Sequence, residues 1–101
     1  MKNKMELTAR HFDLTDNIRD FVEKKVNKLD NHKDYIINMR MILDQEKNRN
    51  HVEFMVKTKD TTFSSKDEGY DLYMAIDNVV DKMLIQLKKR LDQFESKKKV
   101  K

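Results

Sequence analysis

Three histidines, one spaced pair of carboxylates and one pair of serines are the side chains here that could do acid–base or nucleophilic chemistry. His11, His32 and His51 stand far apart, and two of them fall in or beside polar segments. None has the short spacing to a second ligand that a metal site uses. Asp77 and Asp81 sit at i and i+4, so on a helix they share a flank and could hold a metal ion or share a proton. The commoner fate of such a pair is plain exposure, or pairing with Lys88 or a neighbouring lysine. Ser64-Ser65 has no histidine to activate it. No nucleophile, base and oxyanion donor come together, so neither an enzyme nor a cofactor or metal site is expected. The only glycine is Gly69 and there is no proline or cysteine. That excludes a glycine-rich phosphate loop, a proline-rich linker, a disulfide framework and a zinc–thiolate site.

Cations are the more informative side chains. The formal net charge of +4 is unevenly spread. Residues 82–101 hold eight Lys/Arg against Asp92 and Glu95, while residues 1–81 hold 14 basic and 16 acidic side chains. A localised basic surface attracts nucleic acid through counterion release and long-range steering. A merely solubilising tail is the plainer alternative.

The elements that must position these charges emerge from periodicity. At 101 residues with 38% apolar side chains, the chain can bury one modest core. Met5 to Arg10 alternates with period two, which reads as a half-buried strand. Thr15 stands where a helix N-cap belongs, and Ile18, Phe21, Val22, Val26 and Leu29 come after it at helical spacing, predicting a helix over 16–29. Residues 36–43 alternate again, the polar run 44–50 reads as a hairpin loop, and Val52, Phe54 and Val56 mark a strand over 51–58. Lys59-Asp60 makes a short turn before a weaker strand over 61–66 anchored by Phe63; Gly69 then breaks the chain, and Asp71 can cap a second helix. Tyr73, Ile76, Val80, Met83, Leu84, Leu87, Leu91 and Phe94 lie on one stripe of that long helix, roughly 71–95. The expected fold is an α/β two-layer sandwich in the order β-α-β-β-β-α. Two helices lie on one face of a four-stranded mixed sheet, the first two strands parallel and the later ones antiparallel. The domain spans 1–95, with a short basic tail over 96–101. No apolar run is long enough for a signal-peptide core or a membrane span, so a cytoplasmic protein with no membrane partner is expected.

On the second helix, Asn78, Lys82, Ile85 and Lys89 fall close together on the wheel, opposite the apolar stripe, with Lys88 and Arg90 beside them. The first helix carries Arg19, Lys24, Lys25 and Lys28; Lys25 lies in the stripe, so its stem should run along the core boundary. With both helices on one sheet face, these lysines border a groove that could clamp a phosphate backbone. A solvated surface with scattered ion pairs is the plainer reading.

The run from Asp71-Leu72-Tyr73 through Ala75-Ile76-Asp77, then Asp81-Lys82, then Gln86-Leu87 and Lys89, resembles the second-helix signature of the ribosome hibernation-promoting factor family, which includes ribosome-associated inhibitor A, or protein Y. Leu14-Thr15, Ile18-Arg19, Phe21-Val22 and Lys25 to Leu29 agree with its first helix. The resemblance implies the same β-α-β-β-β-α fold. It also implies binding to the small ribosomal subunit, in the channel for messenger and transfer RNA, with inhibition of translation and preservation of idle ribosomes in stress or stationary phase. Its contacts would be Arg19, Lys25, Lys28, Lys82, Lys88 and Lys89 against 16S-type ribosomal RNA and neighbouring ribosomal proteins. The family usually has arginine where this chain has Ile85. The short form that this chain resembles pairs ribosomes only with a second hibernation factor. A general structured-RNA-binding module and a protein–protein regulator are the alternatives.

Overall fold

The computed structural model describes residues 4–99, with side chains over 5–91. Strand β1 (Lys4–Arg10) half-buries Met5, Leu7 and Ala9 and exposes Glu6, Thr8 and Arg10, as its alternation requires. Helix α1 (Asp16–Val26) starts at the expected cap: Thr15 Oγ1 accepts a hydrogen bond from the Ile18 N–H at 3.2 Å. Ile18, Val22 and Val26, four residues apart, are its buried ridge. The expected helix to residue 29 is shorter as an α-helix. After Val26 the chain tightens into a 3₁₀ segment (Asn27–His32), which still buries Leu29. No glycine is available there to close the helix in a left-handed cap, and 3₁₀ turns are a common way to satisfy the last carbonyls.

Strands β2 (Ile36–Glu46), β3 (Arg49–Thr58) and β4 (Thr62–Gly69) come next. The sheet order is β1-β2-β3-β4; β1 and β2 are parallel and the other neighbours antiparallel. The expected 44–50 loop is instead ladder. Asp44, Gln45 and Glu46 pair with His51, Asn50 and Arg49, leaving only Lys47-Asn48 as the turn, with Lys47 at φ 56°. Its polarity misleads because most of these side chains face solvent. The inward one, Asn50, is buried but satisfied: it donates to the carbonyls of Gly69 (3.3 Å) and Tyr70 (3.1 Å) and accepts from Gln45 Nε2 (3.1 Å). The same bonds help to hold β4 in the ladder as far as Gly69, beyond the expected end at 66. Gly69 therefore ends a strand that Asn50 secures, and a Cβ there would meet nothing within 4 Å.

Helix α2 (Leu72–Lys99) opens on Asp71, whose Oδ1 accepts from the Met74 N–H at 3.2 Å. The helix runs through residues 96–99; the last two residues of the expected tail lie outside the described ones. Its buried stripe is rotated from the expected one. Ala75 and Val79 join Ile76, Val80, Met83 and Leu87 in the core, while Tyr73 is 41% exposed. The rotation arises because α2 packs across β3 and β4 and meets α1 only along one flank. Ser65 of β4 is buried beneath it and donates to the Val79 carbonyl at 2.8 Å. Phe94 lies outside the described side chains. Met39, Met41, Leu43, Val52, Phe54 and Val56 share one core cluster with the apolar ridges of both helices, so both helices lie on one sheet face.

A polar tie fixes α2 to the β3–β4 turn. Arg90 Nη2 lies 2.8 Å from Asp60 Oδ2, and the Tyr35 hydroxyl donates to Asp60 Oδ1. The Tyr35 hydroxyl and the Arg90 guanidinium pull the Asp60 carboxyl down to about 2 from 3.8.

This packing can be tested at two residues. Leu87 is fully buried at the middle of the α2 stripe. Leu87→Ala should therefore lower unfolding free energy by about 2–5 kcal/mol, read by urea denaturation; an unchanged midpoint would remove Leu87 from the core. Asp60 has a depressed folded-state pKa, so the stability it adds is intact above its ordinary value and lost as pH falls from 3.8 towards about 2. The melting temperature of Asp60→Asn should lie below the parent's at neutral pH and converge with it across that window; parallel acid profiles would show that the tie contributes nothing.

Candidate nucleic-acid interface

The interface builds from the seam where the helices meet. On α1, Phe21 and Lys25 are four residues apart and face α2; Lys28 lies beyond them on the 3₁₀ segment. On α2, Tyr73, Asp77 and Asp81 form the facing flank. The Phe21 and Tyr73 rings meet edge to face with centroids 4.8 Å apart, and Lys25 Nζ lies 5.3 Å from the Phe21 centroid. Lys25 Nζ is 3.4 Å from Asp77 Oδ1, and Lys28 Nζ is 3.3 Å from Asp77 Oδ1 and 3.2 Å from Asp81 Oδ1. The Asp77/Asp81 partners are thus Lys25 of α1 and Lys28 of the 3₁₀ segment rather than Lys88. Hydrogen bonding to Asp81 raises the Lys28 pKa, with Asp77 adding to it. Burial pushes the Asp77 carboxyl up, but Lys28 and Lys25 outweigh it and hold it below its ordinary value.

The opposite flank of α2 departs from the expected basic face. Lys82 Nζ donates to the Lys66 carbonyl at 2.9 Å and lies 3.6 Å from Asp67 Oδ1. Asn78 Nδ2 donates to Asp67 Oδ2 at 2.9 Å, and Gln86 Nε2 donates to the Ser64 carbonyl at 2.9 Å. Asn78 and Lys82 therefore do not simply point outward: they stitch α2 to β4. β4 is an edge strand whose carbonyls need donors; Lys82 and Gln86 supply them at Lys66 and Ser64, while Asn78 holds the Asp67 side chain.

Among the predicted contacts, the structure brings Lys25 and Lys28 together and leaves the others apart. Lys88 continues the α1-facing row, seven residues beyond Asp81. Lys88 and Lys89 are exposed with no partner among the described residues, and Ile85 between the two rows is 59% exposed. Arg19 is exposed on a different flank of α1, roughly 120° around the helix from Lys25.

Two of the three histidines, His11 and His51, have partners that periodicity alone does not reveal. His11 Nδ1 lies 2.7 Å from Asp44 Oδ1, and His51 Nδ1 lies 3.0 Å from Glu68 Oε2, on the open face of the sheet. The bond with His11 lowers the Asp44 pKa. Ladder register is the missing signal, since it places His51 opposite both Asp44 and Glu68. Among the described residues no group of three His, Cys, Asp or Glu is arranged to hold a metal ion.

The family described as Sigma 54 modulation protein / S30EA ribosomal protein matches this chain over residues 5–95. The chain belongs to that family. It is 30% identical over 90 residues to the ribosome hibernation promoting factor of Azotobacter vinelandii, covering 89% of this chain and 84% of that protein. The N-terminal domain of Thermus thermophilus Protein Y superposes with a TM-score of 0.79 at 33% identity, covering 86% of this chain and 97% of that one. A ribosomal subunit interface protein from Coxiella burnetii gives a TM-score of 0.81 at 26% identity, covering 88% of this chain and 98% of that one. The β-α-β-β-β-α sandwich is thus the fold of the S30EA family members that this chain resembles.

Proposed function

We propose that this protein is a ribosome hibernation factor, a non-catalytic regulator that binds the small ribosomal subunit in the channel for messenger and transfer RNA. Occupying that channel inhibits translation and preserves idle ribosomes under stress or in stationary phase. The observation that carries this reading is the pair of lysine-bearing helices side by side on one sheet face, in a chain whose relatives are named for ribosome hibernation. The proposed contacts with 16S-type ribosomal RNA are Arg19, Lys25, Lys28, Lys82, Lys88 and Lys89. Lys88 and Lys89 take phosphates most directly, being exposed and unpaired among the described residues. Lys82 contributes from the β4 flank, where its side chain is 52% exposed while bound to a backbone carbonyl. The site of action is the cytoplasm, where ribosomes are; among the described residues no helix is long and apolar enough to cross a membrane.

Phosphate contacts make affinity fall with salt, log Kd changing by about 0.7–0.9 per contact for each unit of log salt. Lys88→Glu with Lys89→Glu should leave the melting temperature near the parent's, since exposed charges contribute about 0–1 kcal/mol. The same change should abolish co-sedimentation with purified small subunits on sucrose gradients at physiological salt. Retained co-sedimentation would exclude this stretch of α2 from the interface. Equal affinity of the parent for small subunits and for an unrelated RNA duplex would favour a general RNA-binding module. Ile85→Arg adds a cation to the exposed ridge between the two lysine rows and should tighten small-subunit binding in low salt; unchanged affinity would place residue 85 outside the contact.

A further inference from the structure

The α1–α2 seam poses an electrostatic question. Two of its lysines face two carboxylates, so the seam itself is near neutral, although it lies on the side of the molecule offered to a polyanion. A surface built only to attract RNA would leave Lys25 and Lys28 free. Asp77 and Asp81 instead lie within 3.2–3.4 Å of their ammonium groups. The geometry points to Asp77 and Asp81 as specificity-determining residues, which position Lys25 and Lys28 for one RNA surface and suppress binding to all others. This rests on the hibernation-factor reading.

The physical basis is the different range of the two effects. At distances beyond the Debye length, about 8 Å at physiological salt, two lysines and two aspartates nearly cancel, so a diffuse polyanion gains little from approaching. At contact the cancellation fails. Lys25 is held by Asp77 on one side and by the Phe21 ring on another, and Lys28 is held by both carboxylates. A phosphate seated in register on the ammonium groups meets two oriented donors flanked by carboxylates that are themselves open to solvent, Asp77 by 37% and Asp81 by 53%. A phosphate out of register meets the carboxylates and is repelled, which is discrimination by an unfavourable contact as well as by a favourable one. The two lysines also lose less rotamer freedom on binding, because the aspartates already confine them. The ion pairs are not needed to hold the helices together, since exposed pairs add little to stability and the seam rests on a continuous apolar core.

The test compares Asp77→Asn with Asp81→Asn, singly and together, against the parent and the Asp77→Glu/Asp81→Glu protein, each checked by circular dichroism and melting. Affinity is measured for purified small subunits and for an unrelated RNA duplex. Neutralisation should raise duplex affinity about tenfold and steepen its log–log salt dependence by about one for each lysine released. Small-subunit affinity should rise less or fall, so the ratio of the two affinities drops, and the glutamate protein should restore it. Asp81→Asn alone, at a side chain 53% exposed, should fold and give a partial drop, which covers the case of a double variant that does not fold. A folded variant with an unchanged ratio overturns the proposal while leaving the function intact. A parent protein with no preference for small subunits overturns both.

Discussion

Because only one face of the four-stranded sheet is apolar, both helices must lie on it, and their sharing of that space decides the rest of the molecule. The far face carries Glu6, Thr8 and Arg10 on β1, Asn38 and Arg40 on β2, and Thr62, Ser64, Lys66 and Glu68 on β4, all exposed. No helix could be buried against it. Four strands spaced by about 4.8 Å present a surface roughly 15 Å wide. Two helices at an interaxial distance of about 8–10 Å fill that width. Hence α1 and α2 lie flank to flank, and side chains that point neither at the sheet nor straight at solvent must meet in the seam.

That meeting puts charge where apolar packing ends. The stems of Lys25 and Lys28 run out from the core boundary, and their amines find Asp77 and Asp81. Burial of the ridges of both helices supplies the cohesion, and the ion pairs tune what the seam offers outward. The two flanks of α2 divide the labour. The α1 flank carries the seam and continues to Lys88, while the β4 flank uses Lys82 and Gln86 to satisfy the carbonyls of an edge strand and Asn78 to hold its Asp67 side chain. The molecule thereby presents a mixed, ordered charge pattern beside the more strongly basic end of α2.

Much of this was legible in the sequence, and the parts that were not share a cause. Thr15 and Asp71 announced both helix starts because capping is local: the donor lies three residues from the acceptor. The α1 ridge, the β3 alternation and that of β2 from Met39 onward were visible because each element has one apolar face. At the start of β2 a register shift between Ile36 and Asn38 reverses the expected faces, burying Ile36 and leaving Ile37 exposed. The 44–50 segment misled because its polarity suggested a loop, whereas Asn50 finds its partners 19 and 20 residues away. Ala75 and Val79 escaped the expected stripe because their burial depends on which strands α2 crosses. The exposure of Ile85 was readable from the wheel. The partners of Lys28, 49 and 53 residues distant, and of Lys82, 16 residues distant, depend on how elements are placed against one another, which helical spacing does not encode.

In the proposed complex the helix side of the sandwich, and not the open sheet face, lies against small-subunit RNA. The chain contains no cysteine, so a single one can carry a tethered source of hydroxyl radicals. Ile85→Cys places the source on the exposed ridge of α2, and Lys57→Cys places it on the open sheet face. With each protein bound to small subunits, the source at 85 should cut 16S-type ribosomal RNA strongly at sites lining the channel for messenger and transfer RNA, and the source at 57 should cut those sites weakly. Equal cutting from both positions, or stronger cutting from 57, would contradict this orientation and with it the proposed mode of binding.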